Sequence, residues 1–142
     1  AAHADPIERV FGLMAGYRQM LELTEFRHGC PIGNLVIEVG ETHPAARALL
    51  TQNFEGWLDA IEACFAAAEP RLPAGIDARR LAVFVLTTME GAVMLARAYQ
   101  NFEASDAAIV TLRDHIERLL VEGTTTIRAR KAAPTKSRRR NA

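Results

Sequence analysis

Cysteine is scarce in this chain of 142 residues: Cys30 and Cys64 are the only two. Two thiols do not make a disulfide framework, so both are expected reduced, in a cytoplasmic protein. No secretory h-region and no transmembrane run is present, so no membrane partner is expected. The most apolar stretch, residues 77–101, starts beside Arg79 and Arg80 and is interrupted by Glu90 and Arg97. Clustered catalytic groups are also missing. Glu62, Glu90 and Glu117 have no histidine three residues later, which argues against a di-metal enzyme on a helical bundle. His28 and Cys30 flank Gly29, but a structural zinc takes four ligands and neither His43 nor His115 stands at ligand spacing. Cys30 as a nucleophile would want a base and an orienting group, and nothing groups them. No metal, cofactor or enzymatic activity is therefore expected. A compact basic three-helix unit is absent as well, so these residues alone are not expected to read a DNA sequence. The start at Ala1 fits a fragment of a longer protein better than a mature end left by signal cleavage.

What is present is ordinary soluble composition, 49% hydrophobic and 24% charged, enough for one core-bearing domain. Alanine is abundant and β-branched runs are rare, so the expected fold class is all-α. The formal charge of zero conceals an asymmetry. Residues 128–142 hold seven of the 17 basic side chains and no acid, leaving ten basic against 17 acidic groups elsewhere. Residues 1–123 are read as the folded domain and residues 124–142 as a basic, mobile tail without apolar periodicity.

The helices announce themselves by their ends. Asp5-Pro6-Ile7-Glu8 is a capping sequence, and the stripe Ile7, Val10, Phe11, Met14, Tyr17, Leu21 carries a helix to about Phe26. Gly29 and Pro31 break it, with Gly29 read as a left-handed cap. A short helix spans Ile32 to Val39. Pro44 opens the next, with Leu50, Phe54, Trp57, Ile61 and Phe65 in period, ending near Glu69 before Pro70 and Pro73. Asp77 caps a long helix to about Asn101. Ser105 is read as the cap of a last helix bearing Ile109, Leu112, Ile116 and Leu119, with Gly123 just past its end. Four long helices and one short one, on short connections, make an antiparallel helical domain.

The 77–101 helix is apolar on nearly every face. Such a helix must be covered on more than one side, one by this chain's core and the other by a second copy of the chain. Gly91 in its middle suggests a close helix crossing, or a merely tolerated glycine. Glu90 could recognise a cationic ligand, pair with Arg97, or face water. Met14, Tyr17, Met20, Phe54, Trp57, Phe84, Thr88 and Met89 could line an adaptable apolar cavity or be plain core.

The ten residues Gly29-Cys30-Pro31-Ile32-Gly33-Asn34-Leu35-Val36-Ile37-Glu38 resemble the turn and short helix found in the C-terminal domains of TetR/AcrR-type transcriptional regulators. The helix before them, the one opened by Pro44, and the two after Asp77 agree in order and length, so the resemblance covers residues 5–122. Its motif positions here are Gly29, Cys30, Gly33, Asn34 and Glu38. The resemblance implies a homodimer whose last two helices form a four-helix bundle with a second subunit. It implies an operator-binding helix-turn-helix domain lying outside these residues, before Ala1. It also implies a small, mainly apolar effector that releases a repressor from DNA. By that resemblance the effector would be lined by Phe11, Met14, Tyr17, Phe54, Trp57, Phe84, Val85, Thr88 and Met89. The dimer face would comprise Gly91, Met94, Leu95 and Ala98, with Leu112, Ile116 and Leu119 from the last helix. The competing reading is a stand-alone dimeric helical adaptor without a ligand.

Overall fold

The computed structural model describes the backbone of residues 3–39 and 41–132, and the side chains of that span as far as residue 126. It is all-α, with no strand among the described residues. The helices are α1 (Pro6–Leu23), α2 (Pro31–Val39), α3 (Pro44–Ala67), α4 (Ala78–Tyr99) and α5 (Glu103–Ala132), with one 3-10 turn at Glu69–Arg71 between α3 and α4.

The ends follow local chemistry. Asp5 Oδ1 accepts from Ile7 N at 2.7 Å and Glu8 N at 3.4 Å, and Asp77 Oδ1 accepts from Arg80 N at 3.0 Å. Helix α1 stops earlier than expected. Phe26 N bonds to Leu21 O at 2.8 Å and Glu25 N to Glu22 O at 3.1 Å, the 6→1 and 5→2 pair of a Schellman end. The left-handed residues are Glu25 (φ 49°) and Phe26 (φ 58°), not Gly29. Phe26 holds this turn down by packing on Phe102, ring centroids 4.8 Å apart.

Helix α5 differs most from expectation. It begins at Glu103, whose N–H is capped by Asn101 Oδ1 at 3.0 Å, while Ser105 is buried in the first turn and donates to Phe102 O. It does not end at Gly123 but runs to Ala132, so residues 124–132 of the expected mobile tail are helical; residues 133–142 lie outside the described residues. Gly123 is there for proximity. A Cβ at this position would meet the Arg71 carbonyl oxygen and lie 2.5 Å from the Leu72 carbonyl carbon. The 3-10 turn thus rests directly on the α5 backbone.

By length and composition α4 is apolar enough to cross a membrane. Its eight buried residues instead make it the helix on which α1, α3 and α5 converge. Ile7, Val10, Met14, Phe65, Val85, Met89, Leu112 and Ile116 form the main core. A smaller cluster of Leu21, Cys30, Val93 and Ala96 sits under the α1–α2 turn. The α1–α5 pairs Glu8–Arg113 and Arg18–Asp106, at 2.8 and 2.7 Å, run in opposite sequence order, as antiparallel neighbours require. Arg79 at the start of α4 gathers Glu55, Asp59 and Glu62, one face of α3.

Candidate functional site: the α2–α4 groove

The residues that resemble a family motif meet α4 at its midpoint. The Cys30 thiol is buried at the mouth of α2, where its Sγ accepts from Gly33 N at 3.3 Å. Gly33 is small because of Glu90: a Cβ on Gly33 would lie 2.6 Å from Glu90 Oε2. Glu90 therefore enters against the α2 backbone beside Cys30, not toward Arg97. Its other oxygen, Oε1, is buried and has no hydrogen-bond partner among the described residues. Burial raises the Glu90 carboxyl above its ordinary value, and the Cys30 thiol offsets part of this. Burial likewise raises Cys30 and Tyr17, which face each other beneath the groove. Arg97 lies across Gly29 and donates to Asn34 Oδ1 at a long 3.4 Å. Glu38 points to solvent at the far end of α2.

Together these elements border a groove of about 520 Å³, within the size of small-molecule sites. Its walls are Gly33, Asn34 and Ile37 from α2, and Glu90, Val93, Met94, Arg97 and Ala98 from α4. It was not foreseen in the sequence as a site, although Gly29, Gly33, Asn34, Gly91, Met94 and Ala98, named for other reasons, all line it.

The expected effector-lining residues are dispersed. Phe11, Met14, Val85 and Met89 are packed into the core. Tyr17 and Phe54 each meet the Trp57 ring edge-on at the core's margin. Met14, Tyr17 and Met89 border a cavity of only about 20 Å³, too little for an effector in this conformation. Phe84 is a correction: it is 46% exposed and sets its ring against His115 of α5, on the outer side of α4. Thr88 is half-buried and bonds its hydroxyl to Phe84 O at 2.7 Å.

Two residues expected at a dimer face need the same treatment. Leu112 and Ile116 are 1% and 0% exposed within the chain's own core, so neither has surface to offer a partner. Leu119 is partly buried against that core. Met94 (61% exposed) and Ala98 do face outward, and Leu95 is half-buried. Gly91 shows no close crossing within the chain, since a Cβ there would meet nothing within 4 Å.

Glu90, half-buried with its Oε1 enclosed, makes stability depend on pH in a definite sense. Its folded value is raised, so the folded state holds the proton more tightly and stability falls as pH rises above the ordinary value of 4.5. Glu90→Gln, which carries no charge to desolvate, is expected to gain on the wild type between pH 4.5 and pH 8. Urea titrations at both values check this; an equal difference at the two pH values would mean that Glu90 is ionised without penalty.

Comparison with known proteins agrees with this architecture. Residues 6–112 match the family described as tetracyclin repressor-like, C-terminal domain. The chain belongs to that family, the C-terminal domain of TetR-type transcriptional regulators. It is 33% identical over 113 residues to an uncharacterized HTH-type transcriptional regulator of Mycobacterium tuberculosis, found in two strains. That match covers 76% of this chain and 57% of the relative, so the chain spans little more than half the length of the curated relatives it matches. A TetR transcriptional regulator from Chloroflexus aurantiacus has a similar crystal structure, with TM-score 0.72 and 29% identity over 82% of this chain and 60% of that one. The class is one of regulators, not of enzymes.

Proposed function

We propose that this domain is the effector-binding and dimerising half of a cytoplasmic TetR-type repressor. A helix-turn-helix domain outside these residues holds the operator, and a small, mainly apolar molecule releases it. The observation that carries the dimer is the outer face of α4. Val83, Phe84 and Met94 are 45%, 46% and 61% exposed, and Gly91 and Ala98 between them leave room for close approach. An apolar helix face of this kind, on a protein of this family, is an interface waiting for its copy. Gly91, Met94, Leu95 and Ala98 are assigned to it, with Phe84 added and Leu112 and Ile116 removed.

Effector binding rests on α2. This nine-residue helix has no fully buried side chain, so its seat on α3 and α4 is shallow. A ligand that prefers one seat of α2 biases it, and the bias passes through α4 to the dimer and its DNA-binding heads. A thermal-shift screen of chemically broad ligands tests this reading. A binder at 100 times its Kd is expected to stabilise the chain by roughly 2.7 kcal/mol and to alter hydrogen exchange across residues 29–39. Binders that leave residues 29–39 unchanged would refute the role given to α2, and the absence of any binder would favour a dimeric adaptor without a ligand.

A further inference from the structure

We propose that Glu90 is a pH-sensitive latch for α2: protonated, it lies in the gap that Gly33 leaves and holds the helix on α4; ionised, it swings toward solvent and the helix loosens. The packing carries this. The gap at Gly33 is filled by the carboxyl, since a Cβ on that residue would lie 2.6 Å from Glu90 Oε2. Glu90 thus turns toward α2 and away from the outer face of α4 assigned to a second copy. Oε1 is enclosed and has no hydrogen-bond partner among the described residues. The helix being held has no fully buried side chain of its own, so a contact under its first turn is a large share of its seat.

The groups facing Glu90 set the direction. From α1 the titratable neighbour is Tyr17, and from the start of α2 it is Cys30. Both are neutral acids whose own values burial raises. Cys30 Sγ accepts from Gly33 N at 3.3 Å, which leaves its S–H as the one donor that favours a charged Glu90. A thiol is a weak donor. Arg97, on Glu90's own helix, lies across Gly29 and donates to Asn34 instead. Among the described residues α3 and α5 bring no charge to bear on it. An ionised Glu90 in the gap is therefore desolvated without a cation to pair with. The seated carboxyl titrates above 4.5, and one released to water returns to its ordinary value. The latch is fully closed below pH 4.5 and is lost as pH rises through the raised value. No ligand is needed for it, so the latch and the effector reading stand or fall separately.

The test is amide hydrogen exchange of the full 142-residue chain from pH 5 to pH 8, corrected for the intrinsic pH dependence of exchange. Protection of residues 31–39 is expected to fall by about tenfold across this range, the effect of an unmet buried acceptor, while α4 around Val85 and Met89 keeps its protection. Glu90→Gln, which carries no proton to lose, should hold residues 31–39 at their pH 5 protection throughout. Gly33→Ala, whose methyl group takes the place of Glu90 Oε2, should also abolish the pH dependence, by displacing the carboxyl. Carbon-13 NMR of the Glu90 carboxyl in the wild type should give a midpoint above 4.5. An ordinary midpoint, a pH dependence that persists in Glu90→Gln or Gly33→Ala, or an equal loss of protection in α2 and α4 would overturn the latch.

Discussion

Ile116→Arg is expected to unfold the protomer rather than merely separate subunits. Ile116 is 0% exposed and sits in the main core with Val85, Met89 and Leu112. No acid lies in that cluster to pair with an introduced guanidinium. A buried, unpaired charge costs on the order of 3–5 kcal/mol, a large part of the roughly 5–15 kcal/mol that holds an ordinary domain together. Leu112→Arg should behave alike. Met94→Arg, on the exposed side of α4, should keep native helicity and a cooperative melt. Far-UV circular dichroism with thermal denaturation separates the two outcomes. A folded Ile116→Arg protein would place α5 the other way round, with this stripe facing outward.

Gly123→Ala is the second large effect, and its sign is opposite to what helix propensity alone gives. In an exposed helix interior, Gly to Ala stabilises by roughly 1 kcal/mol. Gly56 in α3 has nothing within 4 Å of its Cβ position, and Gly56→Ala is expected to show that gain. At Gly123 a Cβ would strike the backbone of Arg71 and Leu72, which no side-chain rotation relieves. Overpacking of this kind costs about 1–3 kcal/mol, so Gly123→Ala should destabilise. Leu72 is itself buried in the core, so displacing the 3-10 turn also disturbs packing between α3 and α5. Urea denaturation of the two alanine variants measures the contrast. Stabilisation by both would mean that the 3-10 turn does not rest on α5.

The same glycine shows where sequence was and was not informative. As a residue after an apolar stripe, Gly123 reads as a helix stop. Only the backbone of Arg71 and Leu72, brought against it by the fold from the far side of α4, explains it as a close contact. Local chemistry was legible where the partners are local: Asp5 and Asp77 cap as expected, and Pro44 opens α3, whereas Pro31, expected only to break the helix before it, is the first residue of α2. Glu8 stands at the capping-box position of α1, yet it pairs with Arg113, 105 residues away, which no local pattern reveals.

Helix α4 illustrates a second limit. Periodicity gives the repeat of an apolar helix, but when two faces are apolar it does not give the phase. Phe84 and Thr88, expected to line the cavity, fall outside the observed buried set, which includes Leu86 and Val93. Helix α5 has one apolar stripe, and the core takes it; assigning Leu112 and Ile116 to a partner used the same residues twice. The α2–α4 groove was legible only as a string of glycines and an unexplained Glu90. Gly33 and Glu90 are 57 positions apart, and their fit is a property of two helices meeting.

Sedimentation equilibrium of the intact chain, with and without Met94→Arg, tests the central claim that a second copy covers the outer face of α4. The wild type is expected to weigh twice the 15.6 kDa of one chain at micromolar concentration. Met94→Arg, folded, is expected to weigh 15.6 kDa. A monomeric wild type, or a Met94→Arg dimer as tight as the wild type, would contradict the claim.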